Sequence, residues 1–296
     1  MKELLYRTLG RASEVVDRVI RGSASTQNGE STFDRTGLIV PTARKLEVLY
    51  RSDELLYVRY DRPSHSFWRA QEFSLFRRHC EALVMPVADF GCGDGSFASV
   101  LFDSVDIGID HDPDALAIAA QYGLYSCLVQ SQERQIPLPD ESVQSVISNS
   151  VLEHVIDLDA VLKELHRIIA PGGRLMFTVP LLKYRDDLAK YFGRRTSDRV
   201  NQSSSHRNLL TESQWRSRLG DAGFAPELII HYQPDWYTFW YRFHRLSGPC
   251  ALGRFLGDLD GKLWRRYKHR YLAAVRESIE RTTDGANIFV IARKLK

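Results

Sequence analysis

From Val87 to Val179 the chain alternates short apolar runs with amphipathic stretches, and this alternation constrains the fold more than any other feature. Strands are expected at Val87–Phe90, Val105–Asp110, Tyr125–Gln130, Gln144–Ser148 and Leu175–Val179. Between the last two, Leu158, Val161, Leu162, Leu165, Ile168 and Ile169 recur at three- and four-residue spacing, which marks a helix over Asp157–Ile169 with one apolar stripe. Pro171-Gly172-Gly173 ends it. Strands separated by helix-length segments pair in parallel, and the helices then cover both faces of the sheet. The fold class is α/β.

Elements flank this block on both sides. Phe67, Ala70, Phe73, Phe76, Cys80 and Leu83 mark the buried face of a helix leading into the first strand. Thr211 with Gln214 three residues on reads as a capping box, and Leu210 with Trp215 as a hydrophobic staple, so a helix starts near Glu212 and stops at Gly223. Strands follow at Glu227–Tyr232 and Asn287–Ala292. The polar segment 182–208 reads as a lid-like loop, and 235–284 as an aromatic and basic insertion. Residues 1–34 read as an amphipathic helix and a Gly/Ser-rich linker, leaving 35–296 as one domain. Between Gly37 and Pro63 the runs Leu38–Val40 and Leu55–Val58 fit either a hairpin or a helix.

Bulk properties exclude several classes. A chain of 296 residues with 44% hydrophobic and 26% charged residues has the composition of an ordinary globular protein rather than a disordered or fibrous one. The four cysteines, Cys80, Cys92, Cys127 and Cys250, show neither a disulfide framework nor a zinc pattern, and no metal-ligand spacing calls for an ion. No run reaches the ~18 apolar residues of a membrane span, and the amino terminus lacks the continuous apolar stretch of a signal peptide. A cytoplasmic protein, at most peripheral to the inner membrane, is the expectation. A net charge of +3, with no recognised RNA-binding module, does not call for a nucleic-acid partner.

The chemistry concentrates at Asp89-Phe90-Gly91-Cys92-Gly93-Asp94-Gly95, where a strand runs into a glycine-rich turn. Glycines there permit positive φ and let a ligand approach the backbone closely. The dinucleotide fingerprint would need glycine where Ser96 stands, so the spacing departs from an NAD site.

With DFGCGDG at 89–95, GID at 108–110, IPLPDES at 136–142, VLEHV at 151–155 and PGG at 171–173, the sequence resembles the class I S-adenosylmethionine (SAM) dependent methyltransferases, in particular their broad type-11 group. The resemblance covers about Phe67 to Ile230 plus the last strand. It implies a Rossmann-like seven-stranded, mostly parallel sheet with helices on both faces, an antiparallel last strand, and a helical insertion before that strand. It also implies SAM as cofactor. Carried over residue by residue, Asp89 would fix the methionine ammonium group, while Gly91, Cys92, Gly93 and Gly95 would make room for the amino acid and ribose. Asp110 would take the two ribose hydroxyls, a task suited to a carboxylate that accepts two hydrogen bonds. His111 would pack on the adenine. Gln132 stands where relatives carry an acid for the adenine amino group, with Glu133 beside it, a departure that leaves this contact open. Asn149 would lie beside the methionine. His154 and His206 are the candidate catalytic residues, each also readable as structural, since histidine titrates near neutrality and an oxygen acceptor must lose a proton.

The insertion bears on the acceptor. Trp236-Tyr237-Thr238-Phe239-Trp240-Tyr241 opens an aromatic stretch interleaved with cations to Tyr271. Such a stretch suits a membrane interface, a lipid phosphate or sugar nucleotide, or a carbohydrate, and equally a helical lid packed on the sheet. At Phe67–Glu72 and in the region Tyr184–Asn208 the sequence also has a softer similarity to methyltransferases of bacterial polysaccharide and glycolipid gene clusters, which implies a small-molecule or lipid-linked sugar acceptor, with peripheral membrane contact through 236–271. Methylation of a quinone or secondary metabolite at O, N or C, and a catalytically silent scaffold, are the alternatives.

Overall fold

The structure, a computed structural model, describes residues 63–132, 134–246, 266, 270, 273, 274 and 277–295. The expected amino-terminal helix and linker, the runs between Gly37 and Pro63, and Glu133 lie outside these residues. So does most of the insertion beyond 246.

Seven strands form one sheet: β1 (Val87–Phe90), β2 (Val105–Asp110), β3 (Tyr125–Gln130), β4 (Val143–Asn149), β5 (Ile169–Pro180), β6 (Phe224–Tyr232) and β7 (Asn287–Lys294). Their order across the sheet is β3-β2-β1-β4-β5-β7-β6. Strands β1 to β5 pair in parallel, and β7 runs antiparallel to both β5 and β6. Two antiparallel steps bring β6 back to the direction of β5, so Tyr232, at the end of β6, lies on the same edge as the ends of β1, β2 and β4. The insertion therefore starts at that edge.

The helices are α1 (Pro63–Arg78), α2 (Ala98–Leu101), α3 (Pro113–Gln121), α4 (Leu158–Ile168), α5 (Leu182–Phe192), α6 (Arg194–Ser203), α7 (Glu212–Asp221) and α8 (Asp235–Leu246). The expected stripe of α4 is buried, with Val161, Leu162, Leu165 and Ile168 fully shielded from solvent. Burying each side chain stabilises the fold by about 1.5–3 kcal/mol before entropy is counted. Asp157 caps its first turn by accepting from Ala160 N at 3.1 Å. The capping box at Thr211 and Gln214 is present, and Trp215 behind it is wholly buried. Two apolar layers result, one joining α4 and α7 to the sheet, the other joining α1 to it.

Three expectations are corrected. The segment 182–208 is not a loop: it folds into α5 and α6, burying Tyr184, Leu188 and Val200. Apolar positions this sparse leave too short a stripe to register as periodicity. Strand β5 begins at Ile169 rather than Leu175, because its pairing with β4 jumps from Val143↔Ile169 to Ser145↔Arg174 and the Pro-Gly-Gly stretch bulges out between them. The helix before β1 ends at Arg78, so Cys80 and Leu83 lie beyond it and are only partly buried, while Gln71 and Glu72 within it are as buried as Phe73 and Phe76.

Candidate active site

The turn after β1 forms a cradle. Gly91, Gly93 and Gly95 all have positive φ, and Gly91 and Cys92 donate their N–H groups to Ile109 O at 2.8 and 3.0 Å, tying the turn to β2. The glycines do different work. A Cβ on Gly91 would lie 2.4 Å from Val151, whereas one on Gly93 would meet nothing within 4 Å. Open space lies in front of Gly93.

Two carboxylates border it. Asp110, at the end of β2, accepts from Gly93 N at 2.8 Å and from Asp112 N at 2.9 Å, which orients it across the mouth of the turn. Asp89, at the end of β1, is buried and accepts from the Tyr125 hydroxyl at 2.7 Å. Burial pushes its pKa up to about 7; the Tyr125 bond opposes the shift and the Asp110 charge adds to it. Cys92 is buried beside them, and the loss of solvation holds its thiol protonated. His111 is exposed, with Nδ1 3.2 Å from Asp110, and Gln132 is exposed in a one-bridge turn with Gln135. The cradle fits the expected cofactor: an open volume, a buried carboxylate for an ammonium group and a second carboxylate for paired hydroxyls.

Past β4 the chain turns through Ser150, a non-glycine residue at φ 55°. The Ser150 hydroxyl donates to Glu72 Oε1 at 2.9 Å, and Glu72 also accepts from Trp68 Nε1, Arg69 and the Tyr232 hydroxyl at 2.7, 2.6 and 3.1 Å. Asn149 accepts from Thr178 at 2.7 Å. Tyr125 was missed by motif reading, and Glu72 entered it only as the last residue of the Phe67–Glu72 segment, without a role. A further signal for Glu72 was that it and Gln71 interrupt the apolar run of α1.

The expected catalytic histidines, 52 residues apart in sequence, meet. Arg207 N and Asn208 N donate to Glu153 O at 2.7 and 3.0 Å, and the Asn208 side chain donates to Leu152 O and Val155 O at 2.9 and 2.8 Å. This clasp lays 205–208 along the loop after β4 and places the His154 and His206 rings 5.3 Å apart. Glu153, buried beneath them, stands 3.6 Å from His154 Nε2. Burial raises its pKa to about 8, lowers that of His154, and lowers that of His206 to about 4, with the charge of His154 adding to the last.

Beside His206 stands an aromatic wall, with Tyr184 at 5.9 Å from its ring, Trp68 at 5.7 Å from Tyr184 and Tyr241 at 4.7 Å from Trp68. Tyr237 and Tyr241 of the insertion are thus buried packing residues, while Trp236 stays exposed. In the described part, the insertion behaves as a packed helix. Among the described residues no helix is long and apolar enough to cross a membrane.

Residues 88–177 match the family model described as "Methyltransferase domain". Similar curated proteins include one from Mycolicibacterium smegmatis, named a probable S-adenosylmethionine-dependent methyltransferase, 31% identical over 38% of this chain and 47% of its own length. A malonyl-[acyl-carrier protein] O-methyltransferase from Alcanivorax borkumensis is 34% identical over 51% of this chain and 53% of its own. That from Yersinia pestis is 30% identical over 47% and 54%. The chain spans about half the length of these relatives. A solved SAM-dependent methyltransferase from Archaeoglobus fulgidus is similar over 76% of this chain and 94% of its own, at 16% identity and a TM-score of 0.48. Over residues 88–177 the chain carries a methyltransferase domain.

Proposed function

We propose that this protein transfers the methyl group of SAM to an oxygen of an acceptor that carries a sugar, as a glycan, glycolipid or sugar nucleotide. The observation that supports an oxygen acceptor is the gathering of Glu153, His154 and His206 just past Asn149 and Ser150. A hydroxyl is a poor nucleophile until its proton is drawn off, so groups with free lone pairs at the acceptor side favour oxygen over carbon. The relatives named malonyl-[acyl-carrier protein] O-methyltransferases agree with oxygen, though with a different acceptor. The half-buried Trp68, with Tyr184 and Tyr241 behind it, offers an aromatic surface of the kind that stacks on sugar rings.

SAM, when bound, supplies a sulfonium-activated methyl group for in-line transfer. The chain's own groups bind and orient. Asp89 holds the ammonium end, Asp110 holds the ribose hydroxyls, and Gly93 leaves the space that both contacts need. Ser150, bonded to Glu72, keeps the loop after β4 in its strained conformation and so sets the wall between cofactor and acceptor. In this reading His111 and Gln132 cover the adenine. Peripheral membrane contact would fall within 236–271, where Trp236 is exposed.

The test is transfer of a radiolabelled methyl group from SAM to a panel of sugar nucleotides, glycolipids and acylated carrier protein. Acceptor-dependent labelling of an ether oxygen on a sugar supports the proposal. Labelling of a carboxyl, amine or carbon alone would overturn the acceptor class, and SAM binding without any transfer would favour a silent scaffold.

A further inference from the structure

We infer that Glu153, His154 and His206 form a binding site for one first-row divalent transition-metal ion, of the Zn²⁺ or Mn²⁺ kind, with coordination positions left open toward the acceptor. One ligand atom from each residue falls within 4.8 Å of the other two. Ligands about 2.1 Å from a shared ion stand at most ~4.2 Å apart, so side-chain rotations of roughly half an ångström close the site.

Three further observations point to an ion. The buried Glu153 Oε2 has no hydrogen-bond partner, an arrangement that costs free energy unless something unseen pairs with it. Each imidazole has its Nδ1 against a carbonyl oxygen, His154 on Ser205 O at 3.3 Å and His206 on the Asn201 side chain at 2.9 Å. Placing the N–H on Nδ1 leaves Nε2 as the lone-pair nitrogen of both rings, the arrangement in which metal-binding histidines are held by their outer partners. And the His154 side chain is 40% exposed, so the three donors cover one side of the site and leave room for water or an acceptor oxygen. The neighbouring Arg69 does not oppose a cation strongly, since it is paired with Glu72 at 2.6 Å. Two imidazoles and one carboxylate favour a transition ion over Mg²⁺ or Ca²⁺, which prefer all-oxygen shells.

That the ion would hold the acceptor oxygen rests on the methyl-transfer reading; that it binds does not. The experiment is calorimetric titration of the metal-stripped full chain with Zn²⁺, Mn²⁺ and Mg²⁺, beside a separate titration with SAM. The expected result is one Zn²⁺ per chain, bound far more tightly than Mg²⁺, with the affinity falling ~100-fold or more in Glu153→Gln and in His206→Ala. SAM affinity should be unchanged in both. Glu153→Gln keeps the volume of the buried side chain, so it remains informative should His206→Ala fail to fold. Zn²⁺ binding no tighter than Mg²⁺, or binding that survives both substitutions, would overturn the site. Loss of SAM binding with Zn²⁺ binding intact would instead strike the methyl-transfer reading alone.

Discussion

The Tyr125 hydroxyl donates to Asp89 Oδ2 at 2.7 Å, tying the first residue of β3 to the end of β1, two strands that are not adjacent in the sheet. This bond stabilises the ionised carboxylate against a burial that favours the neutral acid. Tyr125→Phe keeps the ring and removes the donor, so the Asp89 pKa should climb above about 7 in the free protein. A cofactor ammonium needs the carboxylate ionised. SAM affinity at pH 7 is therefore expected to fall, by about tenfold for each unit of further shift, and to approach the parent value near pH 9. Calorimetry across pH 6 to 9 measures this; a loss of affinity equal at every pH would show that Tyr125 acts by some route other than the Asp89 proton.

The same carboxylate links stability to pH. In the unfolded chain an aspartate ionises near ~3.9, while in the folded protein Asp89 holds its proton up to about 7. A raised folded pKa means that folding binds a proton between these values, so stability drains away as pH rises from about 4 to 7 and the full penalty persists above. Asp89→Asn should therefore melt at a higher temperature than the parent at pH 8, by an amount that disappears near pH 4, while binding SAM more weakly. Equal melting temperatures at both pH values would refute the assignment of burial as the cause of the shift.

Two glycines of the same turn are expected to fail differently. At Gly91 a methyl group would run into Val151 at 2.4 Å with φ at +74°, so Gly91→Ala should cost about 2–4 kcal/mol of stability, through overpacking and backbone strain together. At Gly93 the space is open and φ is +53°, so Gly93→Ala should cost only about 1 kcal/mol, and Gly93→Arg should abolish SAM binding while leaving a folded protein. Denaturant melts and SAM titrations separate the two effects. Gly93→Arg with parental SAM affinity would remove the cofactor from this cradle.

How far the sequence foretold this site depends on distance along the chain. Strands β1, β2 and β3 were legible to the residue, because each is a short apolar run cut off by Asp, Gly or a polar turn. Asp89, Gly93 and Asp110 were legible because one strand-turn unit and the next strand end carry them. The meeting of His154 with His206 was not, since it depends on the clasp of Asn208 on the loop after β4, and that clasp depends on α5 and α6 folding where the pattern read as loop. Glu72 was hidden for a related reason: helical periodicity finds apolar stripes, and a buried polar residue breaks the stripe rather than extending it.

Asn208 is the residue on which the acceptor-side cluster turns. Its side-chain amide donates to Leu152 O and Val155 O, the two carbonyls that bracket Glu153 and His154. Asn208→Ala removes both donors and leaves two partly buried carbonyls without them. At a net ~0.5–1.5 kcal/mol for each bond, with an added cost for the unpaired acceptors, a loss of about 2 kcal/mol in stability is expected. The site-specific consequence is larger than the global one, because the other side-chain bond between the two loops, His154 Nδ1 to Ser205 O at 3.3 Å, is made by a member of the cluster that Asn208 positions. Zn²⁺ affinity should drop well over tenfold while SAM affinity, set across β1 and β2, stays within a factor of about two. A variant that loses the 2 kcal/mol but keeps its metal affinity would mean that the backbone bonds of Arg207 and Asn208 to Glu153 O suffice to hold the histidines together.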